Sequence, residues 1–164
     1  MPAKNAPELT LRAALDEDSA GIIDLITRVY GEYPGVLMDV DGEEPELRAP
    51  ASAFEAFWVV ESGGEVVGCV GAKTTAATGP PVVELKKMYV SRDLRGRGLG
   101  RRLIEHVEAY ARERGAARVE LWSDTRFATA HAVYEHVGYR RTGAVRELHD
   151  ISDTSEYEFT RELA

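Results

Sequence analysis

The sequence predicts a mixed α/β fold with a parallel strand pair in its second half. Three observations predict it. Runs with period-two alternation recur along the chain, as strands require. Two stretches, near 16–30 and 99–114, instead carry apolar residues at helical spacing. The second of these helices lies between two strand-like runs, and such a crossover implies that the strands it joins run parallel.

The elements follow in order. Glu8 to Ala13 reads as a short strand, with Leu9 and Leu11 alternating with polar neighbours. Asp16 supplies an N-cap for a helix whose Ile22, Leu25, Ile26 and Val29 recur on one face. Residues 31–50 read as loop with room for a short helix, because Gly31, Pro34, Gly35, Gly42, Pro45 and Pro50 break any period. Phe57 to Val60 and Glu65 to Lys73 form a hairpin around Glu61-Ser62-Gly63-Gly64. A third strand covers Val82 to Val90. A glycine-rich turn then opens a helix with Leu103, Ile104, Val107 and Tyr110 on one face, ended by Gly115. Ala117 to Ser123 is a strand, Phe127 to Val137 a helix, and Gly138 to Thr142 with Glu156 to Glu162 a final strand pair.

Length and composition bound the function. At 164 residues the chain is one domain, 1–164. Twenty Lys+Arg against 28 Asp+Glu give a net charge of −8, which argues against nucleic acid or an anionic membrane as partner. The lone Cys69 excludes an internal disulfide and any multi-cysteine metal site. No apolar run approaches a membrane span and the N-terminus has no signal core, so a cytoplasmic protein is expected. The four histidines make no metal-ligand spacing, and no metal is expected.

The charge is uneven. Residues 92–102 hold five arginines against Asp93, a +4 knot, so the rest of the chain carries −12. The knot lies in Val90-Ser91-Arg92-Asp93-Leu94-Arg95-Gly96-Arg97-Gly98-Leu99-Gly100-Arg101, between a strand and a helix. There the first helical N–H groups have no intrahelical partner, the helix dipole adds positive potential, and glycines let the main chain approach a ligand. The result is a cradle for a phosphate or pyrophosphate. The order Gly96-x-Gly98-x-Gly100 is neither the dinucleotide GxGxxG nor a P-loop, since no Gly-Lys-Ser/Thr follows.

Arg95-x-x-Gly98-x-Gly100 after a strand ending in Val90 resembles the acetyl-CoA signature of the GCN5-related N-acetyltransferases. Glu84-Leu85-Lys86-Lys87-Met88-Tyr89-Val90 is similar to the strand before that signature, and Tyr134-Glu135-His136-Val137-Gly138-Tyr139 to the end of a later helix. The resemblance runs from about Val82 to Tyr139. It implies a mostly antiparallel sheet with a splayed parallel strand pair, flanked by helices. It implies acetyl-CoA as co-substrate, with its pyrophosphate on the main chain of Arg95, Gly96, Arg97, Gly98, Leu99, Gly100 and Arg101. Its pantetheine arm would pair with the main chain of Met88, Tyr89 and Val90.

The same resemblance makes Tyr134 the acid that protects the leaving thiolate and Glu84 the general base. For Glu84, a half-exposed carboxylate paired with Lys86 or Lys87 is the plainer reading. Relatives carry Asn seven residues before the tyrosine, and here that position is Phe127. The implied reaction is direct transfer of an acetyl group, in a ternary complex, to a primary amine of a small molecule or peptide. The acceptor loops of the family correspond to acidic segments here, around 31–50 and 144–156, so a cationic amine is expected. A CoA-ester sensor without turnover is the alternative, and homodimers are frequent in the family.

Overall fold

The computed structural model describes residues 8–75 and 78–163. In chain order its elements are β1 Thr10–Ala13, α1 Ser19–Tyr30, α2 Val40–Glu43, α3 Pro50–Ala53, β2 Ala56–Ser62, β3 Glu65–Thr75, β4 Val82–Val90, α4 Leu99–Glu113, β5 Arg118–Asp124, α5 Ala128–Val137, β6 Arg140–Glu147 and β7 Ser155–Glu162. Short 3-10 turns precede α1, α3 and α4. All seven strands join one sheet, in the order β1-β2-β3-β4-β5-β7-β6. Every neighbouring pair is antiparallel except β4 and β5. The expected mixed α/β sheet with one parallel pair is therefore present.

The elements form where the apolar period puts them, with two differences. The segment 31–50, expected as loop with room for a short helix, carries very short helical turns. Asp16 does not cap α1: its carboxylate accepts from Ser52 N at 3.0 Å and ties the start of α1 to α3. The strand expected over 138–142 begins after Gly138 and extends to Glu147, because β7 pairs with it as far as Ser155.

Alternation along the strands builds two cores, one on each face. Val60, Val70, Ala72, Val83, Leu85, Val119 and Leu121 face Leu103, Ile104, Val107 and Ala111 of α4. On the other face Phe57, Val59 and Cys69 meet Ile22, Leu25, Ile26 and Val29 of α1. Arg161 of β7 donates to both oxygens of buried Glu108 on α4, at 2.9 and 2.7 Å. On α5 buried His131 faces Ser123 Oγ at 3.1 Å, docking α5 onto β5.

Two sheet irregularities position the site. The parallel pairing of β4 with β5 covers only Val82–Glu84 against Arg118–Glu120. Beyond that the strands separate into a wedge. In the same stretch β4 carries an extra residue against β3, between the pairs Cys69↔Tyr89 and Gly71↔Lys86. The bulge holds Lys87 at φ +53, an uncommon conformation for a non-glycine residue.

Leu103 is fully buried between α4 and the sheet. Leu103→Ala should lower stability by about 2–5 kcal/mol, because the cavity it leaves collapses only in part. Urea denaturation should show a lower midpoint with an unchanged slope.

Candidate active site

The wedge joins two cavities. A groove of about 800 Å³ runs along α4, α5 and the free side of β4. A cavity of about 420 Å³ opens on the opposite side, between the 36–44 segment, β5 and the 148–156 loop. Met88, Tyr89, Phe127 and Ala130 line both, so the two meet at the point where β4 leaves β5.

Main-chain groups supply the edge of the groove. Ser91 N donates to Val67 O of β3 at 2.8 Å. Strand alternation then turns the N–H groups of Val90 and, two residues earlier, Met88 away from β3 and into the wedge. β5 has already diverged there, so these groups are free to pair with an extended ligand arm.

The glycine–arginine turn forms the far end of the groove. Gly96 and Gly98 stand at φ +76 and +77, which side chains rarely allow. Gly98 is the N-cap of α4 and supplies no side-chain cap, leaving the first N–H groups of the helix open to a ligand. A Cβ on Gly100 would lie 3.6 Å from Val133 Cγ1 and 3.9 Å from Met88 Cε. These are ordinary contact distances at the point where α4, α5 and β4 converge. Arg95, Gly96, Gly98, Leu99, Gly100 and Arg101 all line the groove; Arg97 is exposed beside it.

The arginines do less for an anion than counting suggests. Arg95 donates to both Glu32 oxygens, at 2.5 and 2.7 Å, and to Val90 O at 3.2 Å. Its guanidinium ties the turn to the end of α1. Arg101 bonds Glu105 at 2.8 Å, an exposed i,i+4 pair. Arg92, Arg97 and Arg102 are exposed and have no salt bridge among the described residues, so they stand beside the open main-chain N–H groups of the turn.

Tyr134 is buried on the wall of the cavity. Its ring packs on Tyr139 and Phe159. Burial alone raises the pKa of its hydroxyl, which has no hydrogen-bonding partner among the described residues. The phenol therefore stays protonated at neutral pH with its proton uncommitted.

Glu84 is not brought to this place. It lies in the stretch where β4 still pairs with both neighbours, opposite Lys73 and Glu120, and lines neither cavity. Two buried carboxylates do line the cavity: Asp124, which is held by Arg126 at 2.8 Å, and Glu44. Glu44 accepts from Lys87 Nζ at 2.5 Å and from Tyr30 Oη at 3.1 Å. Tyr30 Oη in turn lies 3.3 Å from Tyr89 Oη, so a chain of polar groups runs from the bulge to the junction. Nothing in the sequence around Glu44 singles it out among the acidic residues of its segment. Phe127 packs its ring on Tyr33 at 4.8 Å and walls both cavities.

Cys69 reinforces the bulge: its thiol donates to Lys87 O at 3.2 Å. Burial pushes that thiol up to about 12. The described residues hold no cluster of three or more His, Cys, Asp or Glu suited to a metal, and no helix long and apolar enough to cross a membrane.

The Acetyltransferase (GNAT) family matches residues 22–139. YjgM of Escherichia coli K12, an uncharacterized N-acetyltransferase, is 34% identical over 129 residues, covering 75% of this chain and 77% of YjgM. N-acetyltransferase family 8 member 2 of Rattus norvegicus is 34% identical over 94 residues, covering 56% of this chain and 42% of the rat protein. The chain thus spans less than half the length of that mammalian relative. Among solved structures, a GNAT-family acetyltransferase of Staphylococcus aureus Mu50 superposes with a TM-score of 0.80 at 18% identity, covering 96% of this chain and 100% of that one. YncA of Salmonella typhimurium, solved with its cofactor acetyl-CoA, gives 0.70 at 19% identity over 96% of this chain and 95% of its own.

Because only the thiolate reacts, a thiol at about 12 keeps roughly one part in ten thousand reactive at pH 8. Cys69 should therefore resist a thiol-specific disulfide reagent at pH 8 in the folded protein. Its full equivalent should appear once urea unfolds the chain, as the absorbance of the released product will record.

Proposed function

This chain belongs to the GNAT family of acetyltransferases and is an N-acetyltransferase that uses acetyl-CoA, and we propose that its wedge carries out direct acetyl transfer to a cationic primary amine. The observation that carries this reading is the meeting of the two cavities at Met88, Tyr89, Phe127 and Ala130. It lets donor and acceptor approach from opposite sides and share one point.

The groove suits a long ligand with an anionic end. In this reading the N–H groups of Arg95 to Arg101 hold the pyrophosphate at the start of α4. The main chain of Met88 and Val90 pairs with the pantetheine arm, replacing the β5 neighbour that the splay removed. The N–H of Met88 or Tyr89 is the donor that polarises the thioester carbonyl. The amine enters through the cavity.

An amine must be neutral to attack. Glu44, a buried carboxylate of the cavity beside the bulge, takes over the role expected of Glu84 and receives the ammonium proton. The new N–C bond forms as the thioester C–S bond breaks. Tyr134 gives its proton to the departing thiolate and regains one, relayed through water, from the nitrogen as it becomes an amide. No covalent acyl-enzyme is needed. Residues 1–164 act as one transferase domain, in the cytoplasm.

Steady-state thiol release should separate these roles. Tyr134→Phe should lower kcat by about a hundredfold with little change in KM for acetyl-CoA. Glu44→Gln should lower kcat/KM for the amine by a similar factor. Glu84→Gln should stay within about twofold of the parent. A parent-like kcat for Tyr134→Phe would remove Tyr134 from the chemistry, and a large loss in Glu84→Gln would return the base to β4.

A further inference from the structure

The cavity walls say what kind of amine it takes. Five carboxylates line it: Glu43, Glu44, Asp124, Asp150 and Glu156. Three are neutralised from within the protein. Glu44 is paired with Lys87, Asp124 with Arg126 at 2.8 Å, and Glu156 with Arg146 at 2.8 Å. Glu43 and Asp150 have no cationic partner among the described residues. Both are held by the main chain at the mouth, Glu43 accepting from Ile151 N at 3.0 Å and Asp150 from Thr154 N at 2.8 Å. The negative field is thus confined to the entrance, and the interior is close to neutral.

The same entrance also carries exposed apolar side chains. Five large apolar side chains are exposed among the described residues: Leu15, Leu37, Val145, Leu148 and Ile151. Leu37 and Leu148, 54% and 43% exposed, line the cavity, and Ile151 sits on the loop that closes it. The loop is latched by a hydrogen bond from Leu37 N to Ser152 Oγ at 2.9 Å, which holds these side chains at the rim. Farther in, Val36 and Phe127 add apolar wall, while the Trp122 ring lies under the Arg146 guanidinium at 4.3 Å. Apolar side chains held exposed around a concave site mark a surface that something apolar covers.

We propose that the acceptor is a monoamine carrying an apolar arm, its amine reaching the junction and its arm lying against Leu37 and Leu148. The inference rests on the transferase reading above. A polycation would need several free carboxylates along its length, and the cavity offers two, both at the mouth. A single ammonium needs only those two as it enters, and it meets a neutral interior where it must lose its proton. The apolar arm gains binding from desolvation of the rim.

Thiol release by the full chain with acetyl-CoA tests this, with phenethylamine, ethanolamine and spermidine as acceptors. Phenethylamine should show a kcat/KM at least about tenfold above the other two. The double variant Leu37→Ser, Leu148→Ser should shrink that preference by about tenfold, whereas Leu15→Ser should keep it. Ethanolamine or spermidine used as well as phenethylamine would overturn the proposal, as would a preference unchanged in the double variant. Acetyl-CoA binding by calorimetry with no thiol released from any amine would overturn both this proposal and the transfer mechanism it rests on.

Discussion

The site depends on one broken pairing: β4 and β5 share only three residue pairs before they separate. Two parallel strands normally satisfy each other's main chain along their length. Here the pairing stops at Glu84, and the bulge at Lys87 bends β4 away. The separation leaves main-chain donors and acceptors facing open space, and their lost partners can be replaced by a ligand arm. It also opens the sheet from one face to the other. A continuous seven-stranded sheet would have kept the groove and the cavity apart.

The bulge persists because several contacts over-determine it. The Cys69 thiol binds the Lys87 carbonyl, Glu44 holds the Lys87 ammonium, and Tyr30 completes the set from α1. A left-handed lysine is strained on its own. Partners from β3, α1 and the segment after α2 offset that strain. Arg95 does the equivalent for the glycine turn by gripping Glu32 at the end of α1. The polar residues nearest the wedge therefore serve geometry before chemistry, and the main chain is left to meet the ligand.

Charge changes meaning between sequence and structure. Counting residues 31–50 and 144–156 suggests an acidic cavity. Ion pairs of Glu32 with Arg95, Asp41 with Arg48, Glu44 with Lys87 and Glu156 with Arg146 offset part of that charge, and of the unpaired acids only Glu43 and Asp150 line the cavity. The +4 knot shrinks in the same way, through Glu32 and Glu105. Net charge is a sum over the chain; the field in a cavity depends on which charges are paired and how deeply they are buried.

The elements and the glycine turn are local features, and the amino-acid order carries them. Apolar period placed α1, α4, α5 and most strands to within a few residues, because each of these elements buries one face against the sheet. Gly96, Gly98 and Gly100 marked the cradle because positive φ and close approach are local demands that leave a local trace. Tyr134, named through the family resemblance, lies on the cavity wall. Tertiary structure alone decided that Glu84 lies in the paired part of β4, and that Glu44, on a segment without regular period, is buried on the cavity wall. It also decided that the signature arginine turns to α1. These are contacts between residues 18 to 63 positions apart, formed where separate elements converge, and no spacing along the chain encodes which of many like residues will meet.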